Sequence, residues 1–166
     1  MASGRAFTVA MNDQTIVADA TLVLIHAAAA LSTAGSLLEV IEATAGQKGV
    51  ATSNQLSLAI GRKVSAFGTY TSTTPQPNVL GSAASAIAGG TAGAAATAGT
   101  DASAEGGGAF TAHKPLVFNN LNGYLWIPTP EDRLIIGPDQ AVALKIIGTP
   151  ANLLNWSASI TFLQLA

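Results

Sequence analysis

Short segments in which apolar and polar residues alternate recur along this chain of 166 residues. Residues 7–12, residues 56–61 and the last strand candidate, Trp156–Leu165, each place apolar side chains at every second position. This period of two is typical of a strand that buries one face. Turn-forming residues separate the segments, and the Asn122-Gly123 dipeptide is a strong turn signal. The pattern predicts an antiparallel β protein with little helix.

The number of these segments narrows the fold class. About eight to ten short strands with closely spaced turns are typical of an all-β sandwich, and the double-sheet jelly roll is the leading architecture. The chain length fits a single domain over residues 1–166. We therefore predict one antiparallel β-sandwich domain that is jelly-roll-like.

One segment departs from this pattern. Between about residues 78 and 109 the chain consists mostly of Ala, Gly, Ser and Thr, with Leu80 and Ile87 as its main apolar residues. A structureless segment of this length is unusual inside a compact domain. We predict an inserted low-complexity arm or loop here. It is either a disordered insertion or an arm that orders against a neighbouring subunit.

The chain is poor in charge. Charged residues make up 10% of it, against about 25% in ordinary soluble domains. The formal net charge is −2, and no Lys or Arg lies between Lys63 and Lys114. Nucleic-acid binding needs several phosphate contacts, so we expect no nucleic-acid partner. Few charges remain to solvate a free monomer, which favours a homo-oligomer or a larger assembly over a monomer covered by neutral polar side chains.

Neither a membrane-spanning helix nor cysteine chemistry is expected. The longest apolar run, residues 22–31, has about half of the roughly 20 residues that a membrane-spanning helix needs. We therefore expect no membrane partner. The chain contains no cysteine, which excludes disulfides and thiolate metal sites.

No set of residues predicts catalysis. The two histidines, His26 and His113, lie far apart in sequence and give little support to a nucleophilic or metal site. The acidic pair Glu39 and Glu42 would point to opposite faces of a strand and could not share a site. We therefore expect a non-enzymatic protein with no catalytic residue, no metal and no cofactor.

An aromatic and proline-rich stretch at residues 124–133 is the most distinctive part of the sequence. It is either a core strand that ends at a rigid Pro-x-Pro turn, or an interface that places aromatic side chains against a neighbouring subunit. Both interpretations stay open. The interface candidates are Tyr124, Trp126, Pro128, Pro130 and Arg133, with Leu80 and Ile87 from the arm.

In this stretch the chain resembles the small jelly-roll decoration, or cement, proteins that coat the capsids of tailed bacteriophages. The resembling parts are residues 126–133, the turn at residues 137–140 before Ala141–Ile147, the closing segment Trp156–Leu165, and residues 56–77. They cover about half of the chain and are turn-and-strand patterns rather than catalytic signatures. The long Ala/Gly arm departs from the most compact members of the group.

The resemblance implies a non-enzymatic virion protein on the outer surface of the capsid. It implies a homotrimer that bridges subunits of the major capsid protein, its partner. Two other interpretations remain: another virion component, such as a head-fibre, head-completion or tail protein, and a β-sandwich adhesin or carbohydrate-binding module. A module of that kind needs exposed aromatic side chains, and this chain has two tryptophans and two tyrosines.

Overall fold

A computed structural model describes residues 5–27, 37–49, 52–78, 96–137 and 139–165. Within these ranges the chain forms twelve β-strands and a 3-10 turn at Pro130–Asp132, and no α-helix. The strands are β1 (Arg5–Gln14), β2 (Thr21–Ala27), β3 (Leu37–Gln47), β4 (Gln55–Lys63), β5 (Thr69–Thr73), β6 (Gln76–Pro77), β7 (Ala96–Ala104), β8 (Phe110–Asn119), β9 (Tyr124–Trp126), β10 (Ile135–Ile136), β11 (Ala141–Ile147) and β12 (Trp156–Leu165).

The strands form two antiparallel six-stranded sheets that pack against each other. The first sheet has the order β10-β3-β12-β1-β6, and β9 also pairs with β3 on the side of β10. The second sheet has the order β5-β7-β2-β11-β4-β8. This arrangement confirms the predicted all-β sandwich.

The connectivity is that of a jelly roll. Apart from β5–β7, the first four strands alternate between the sheets, with β1 and β3 in the first sheet and β2 and β4 in the second. Strand β8 stays in the second sheet and pairs with β4. The chain then alternates again, with β9 and β10 in the first sheet, β11 in the second and β12 in the first. The first strand pairs with the last, and β2 pairs with β11 in the opposite sheet. Two Greek keys nested in this way are the jelly-roll pattern.

The period-two pattern decides which side chains enter the core. Phe7 and Val9 of β1 lie opposite Phe162 and Ile160 of β12, and all four side chains are buried. The rings of Phe7 and Phe162 lie 5.8 Å apart. Trp156 at the start of β12 is also fully buried. These aromatic side chains bury large apolar areas and fill the space between the sheets.

Strand β2 is buried on both faces, as its continuous apolar run indicates. Val23 and Ile25 belong to the core between the sheets. Leu24 belongs to a second, smaller apolar cluster on the outer face of the second sheet. Phe67 and Phe110, which flank β5 and β7 in the chain, pack onto that cluster. The chain between β4 and β8 therefore covers part of the outer face.

This connection, residues 64–109, is here called the insertion, and it differs from the predicted arm. Strand β7 lies inside the second sheet, paired with β2 on one side and β5 on the other. Residues 96–109 are thus part of the fold, whereas residues 79–95, with Leu80 and Ile87, lie outside the described residues. Small residues suit this strand because the packing is close. A Cβ atom at Gly99 would lie 2.6 Å from the Cβ atom of Tyr70.

Candidate functional site

The two aromatic interface candidates lie on β9, at the edge of the first sheet. Tyr124 is buried, and its ring lies 6.0 Å from that of Phe118 in an edge-to-face arrangement. Burial raises the pKa of Tyr124 to about 12. Trp126 is half-buried and packs against the same core. Both rings pack within the chain, so Tyr124 has little surface left for a neighbouring subunit.

The other described candidates follow β9. Pro128 is buried, and Pro130 is exposed at the start of the 3-10 turn. Arg133 donates a hydrogen bond from Nη1 to Oε1 of Glu39 over 2.9 Å. This ion pair fastens the segment to β3. Pro130 is therefore the most accessible of these three candidates.

Residues 127–134 leave the edge of the first sheet and return to it, because β9 and β10 both pair with β3. Two polar contacts join this segment and β10 to the second sheet. Nζ of Lys114 lies 3.6 Å from Oδ1 of Asp132. Nη2 of Arg62 donates a hydrogen bond to the backbone oxygen of Ile135 over 3.3 Å. The edges formed by β8 and by β9–β10 therefore lie on the same side of the sandwich.

Strand β8 presents apolar side chains to solvent on this side. Leu116 is 51% exposed and Val117 is 60% exposed. Val117 and Ile147 flank Ser57 in one row across the second sheet, since Ser57 pairs with both residues. Together with Pro115 these residues line a shallow depression of about 260 Å³. Pro115, Leu116, Val117 and Ile147 are here called the β8 patch.

More exposed apolar side chains follow the β8 patch along the chain. Leu121 lies in the turn after β8, Leu125 lies on β9, and Ile127 comes directly after β9. All three are more than half exposed. Single exposed apolar side chains are normal on a monomer. A concentration of them around one edge of the sandwich instead indicates a surface that contacts another molecule.

A buried polar cluster lies where the insertion meets the second sheet. The side chain of Lys63, at the end of β4, is 1% exposed. Its Nζ donates hydrogen bonds to Oε2 of Glu105 over 2.9 Å, to the Tyr70 hydroxyl over 3.1 Å, and to the backbone oxygen of Glu105. All three ammonium donors are therefore used. Thr21, Lys63, Tyr70, Glu105 and Lys145 are here called the Lys63 cluster.

Glu105 is the centre of the Lys63 cluster. Its Oε2 accepts a hydrogen bond from the Thr21 hydroxyl over 2.9 Å and lies 3.4 Å from Nζ of Lys145. Its Oε1 accepts a hydrogen bond from the backbone N–H of Thr21. Burial by itself would raise the pKa of Glu105, but the hydrogen bonds from Lys63 and Thr21 outweigh burial and lower it.

The pKa of Lys63 moves in the opposite direction. Burial by itself would lower it, but the hydrogen bonds to Glu105 and Tyr70 outweigh burial and raise it. A nucleophilic lysine needs a lowered pKa, so Lys63 is held in its unreactive charged form. The arrangement fastens the chain after β7 to β2, β4 and β11 of the second sheet.

The sequence did not predict the Lys63 cluster, because Glu105 falls in the low-complexity segment. One signal was available. Asp101 and Glu105 are the only charged residues between Lys63 and Lys114. A lone carboxylate in an apolar, charge-poor segment needs a partner if the segment is buried.

The expectation that Glu39 and Glu42 point to opposite faces of β3 is wrong. Consecutive residues of β12 pair with Glu42 and Val40, so β3 carries one extra residue at this point. Such a β-bulge changes the alternation of side chains, and both carboxylates lie on the face opposite the buried Val40. Glu39 is paired with Arg133.

The two histidines lie in different parts of the second sheet. His26 lies on β2, with Nε2 3.5 Å from Oδ1 of Asp139 and its ring 4.1 Å from that of Phe67. His113 is exposed on β8, which β11 and β4 separate from β2. Among the described residues, no group of three or more His, Asp or Glu side chains could hold a metal ion.

A polar cleft of about 460 Å³ lies at one end of the sandwich, between the β3–β4, β8–β9 and β11–β12 connections. It is here called the loop-end cleft. All of the described residues that line it are uncharged. They are Gln47, Gly49, Thr52, Ser53, Asn54, Leu56, Asn120, Pro150, Ala151 and Asn152.

No protein-family model, no curated protein and no solved structure matches this chain. In the part of the chain that the structure describes, no helix is long and apolar enough to cross a membrane. Any assignment of function therefore depends on the fold, the exposed apolar side chains and the two polar sites.

Proposed function

We propose that this protein is a non-enzymatic structural component of a virion. In this proposal it forms a homotrimer that decorates or cements the outside of a tailed-phage capsid by bridging major capsid subunits. The observation that carries the proposal is the exposed apolar surface along one side of the sandwich. That surface comprises the β8 patch on the second sheet and, around the adjoining edge of the sandwich, Leu121, Leu125 and Ile127, with Leu125 on the outer face of the first sheet.

This surface is unfavourable in water. Complete burial of a Leu, Ile or Val side chain stabilises by about 1.5–3 kcal/mol, so burial of the exposed half of one side chain contributes roughly 1 kcal/mol. Several such side chains on one side of the molecule favour a contact with a neighbouring protein subunit. An interface core of this kind is apolar and poor in charge.

The opposite side of the sandwich is different. There the insertion adds β5 and β7 beyond β2, and β6 beyond β1. The outermost strand, β5, is rich in Thr and Ser, and Thr69, Thr71 and Ser72 are exposed. A polar edge of this kind is suited to water. The contrast between the two sides supports a single contact side rather than general surface apolarity.

The capsid surface and the trimer are supported by the resemblance to decoration proteins. The segments that carry the resemblance include residues 126–133, β11 and β12. The jelly-roll connectivity that the resemblance implies is the connectivity of this chain. The segment at residues 127–134 also lies beside the apolar contact side, which is where an interface role requires it.

The oligomeric state tests the assembly. Light scattering after size-exclusion chromatography should give the mass of a trimer that persists on dilution. Val117→Lys should lower the trimer fraction, because it places a charge in the β8 patch. Val17→Lys is the matched control, since Val17 is an exposed apolar residue of the β1–β2 connection. A monomer at every concentration would contradict the proposal.

A map of the intact virion by electron cryomicroscopy tests the location. We expect density for this fold on the outer capsid surface, between major capsid subunits. Density at the neck or tail would support the other virion roles instead. Absence of the protein from purified virions would exclude every virion role.

A further inference from the structure

We propose that the loop-end cleft binds a neutral sugar, either a free monosaccharide or the terminal residue of a glycan chain. The cleft shares no residue with the β8 patch or with the Lys63 cluster. The proposal therefore does not depend on the assembly described above, and either can fail without the other.

The lining disfavours charged and aromatic ligands. An anion gains most from Arg or Lys, and neither lines the cleft. Lys48, which lies between two lining residues in the chain, is paired with Asp13 over 3.0 Å. A nucleobase gains most from stacking on an aromatic ring, and the lining contains no aromatic side chain. A neutral ligand with many hydroxyl groups remains the best match.

The cleft has free hydrogen-bonding capacity of both kinds. Among the described residues, no hydrogen bond involves Oε1 of Gln47, Nδ2 of Asn152 or the hydroxyl of Thr52. They provide an acceptor, a donor, and a group that does both. A sugar hydroxyl also donates and accepts, so adjacent hydroxyl groups of one ring can use the whole set.

The remaining polar atoms hold the walls in place. Nε2 of Gln47 donates hydrogen bonds to the backbone oxygens of Asn152 and Leu154 over 2.8 and 3.0 Å. Oδ1 of Asn120 accepts a hydrogen bond from the backbone N–H of Asn54 over 2.9 Å. These bonds join the three connections around the cleft. A preformed cleft loses less free energy to ordering when a ligand binds.

The floor and the size also fit a single sugar ring. Leu56 and Pro150 are both buried and supply an apolar surface. One face of a pyranose ring carries mostly C–H groups, which can lie on such a surface. The volume of about 460 Å³ lies in the range of small-molecule sites. Without an aromatic platform, we expect a weak dissociation constant of about 1 mM.

Nuclear magnetic resonance of the ¹⁵N-labelled full chain tests the proposal. The probes are the methyl glycosides of glucose, galactose, mannose and N-acetylglucosamine, and an oligosaccharide that ends in each. We expect saturable shifts of the side-chain amide signals of Gln47 and Asn152 for at least one sugar. Equal affinity for glycoside and oligosaccharide indicates a free sugar as ligand, and a tighter oligosaccharide indicates a glycan terminus.

A pair of isosteric variants locates the site. Asn152→Asp keeps the oxygen that accepts a hydrogen bond from the backbone N–H of Leu154. It replaces the Nδ2 donor with a carboxylate oxygen, which cannot donate. It should weaken binding about tenfold, as expected for the loss of one hydrogen bond to the ligand. Asn122→Asp makes the same change in an exposed turn outside the cleft and should leave binding unchanged.

Three results would overturn the proposal. They are no saturable shift with any sugar, shifts confined to residues outside the cleft, and tighter binding of a sugar phosphate than of its neutral parent. Thermal unfolding of each variant checks its fold, and titration of the unmodified chain decides the question if a variant unfolds. A negative sugar titration would not change the oligomer mass that light scattering measures. The two experiments therefore test the sugar site and the assembly separately.

Discussion

The ammonium nitrogen of Lys63 lies 2.9 Å from Oε2 of Glu105, and this pair closes the insertion onto the second sheet. The two residues are 42 positions apart in the chain. Lys63 ends β4 and Glu105 directly follows β7, so the pair joins the start of the insertion to its last strand. The described part of the insertion therefore contributes to the stability of the domain.

The first prediction concerns this pair. Glu105→Gln should lower the free energy of unfolding by about 2–4 kcal/mol, because it leaves the buried ammonium of Lys63 without its counter-charge. Urea denaturation measures the change. Asp13→Asn is the control: it removes the partner of Lys48 in an exposed ion pair and should cost less than about 1 kcal/mol. Equal losses in the two variants would contradict the structural role of Glu105.

The second prediction is the pH dependence of stability. Folding lowers the pKa of Glu105 below 4.5, so its stabilising contribution is present above pH 4.5 and is lost as the pH falls through the folded-state pKa. Folding raises the pKa of Lys63 above 10.5, so its contribution is lost only as the pH rises beyond that value. Urea denaturation across the pH range should show both losses. In Glu105→Gln the loss of stability at acid pH should be smaller than in the unmodified protein.

The strands with clear alternation could be predicted from the sequence, and with them the class of fold. In β1 and β12 buried and less buried side chains alternate along most of the strand, and the turn at Asn122 and Gly123 joins β8 to β9 as expected. Local periodicity is sufficient here because one face of each strand packs on the core. The pairing of β1 with β12 then follows from jelly-roll connectivity.

The parts that the sequence did not predict depend on contacts between distant segments. β7 has no bulky side chains, and its place in the sheet depends on the close approach of Gly99 to Tyr70. Lys63 is buried only because Glu105 reaches it from the far end of the insertion. The loop-end cleft is likewise assembled from three connections, whose Asn, Ser and Thr residues are typical of solvated turns.

The third prediction tests the packing of the start of β8 against β4. A Cβ atom at Gly61 would lie 2.3 Å from the backbone oxygen of Thr111 and 2.9 Å from the Cα atom of Ala112, so β8 would have to move. Gly61→Ala should cost about 1–3 kcal/mol in thermal or urea unfolding. Gly46→Ala is the control within β3, since nothing lies within 4 Å of its Cβ position. It should be neutral or slightly stabilising, and an equal loss in both variants would argue against the close approach of β8.

The fourth prediction concerns the two tyrosines. Burial raises the pKa of Tyr124 to about 12, and burial also raises that of Tyr70 above 10.0 despite the opposing hydrogen bond from Lys63. Ultraviolet titration should therefore show less phenolate at pH 10 in the folded protein than in the unfolded chain. In urea, both tyrosines should ionise near pH 10. Because only the unfolded chain then releases these protons, stability should fall as the pH rises from 10 to about 12.

Tyr124→Phe separates the two contributions to that titration. It keeps the ring that packs against Phe118 and removes the phenol, so the transition at about pH 12 should disappear while the fold remains. The remaining transition then belongs to Tyr70. A phenolate transition near pH 10 that is lost in Tyr124→Phe would mean that this side chain is exposed. The same result would return Tyr124 to the set of residues available to a neighbouring subunit.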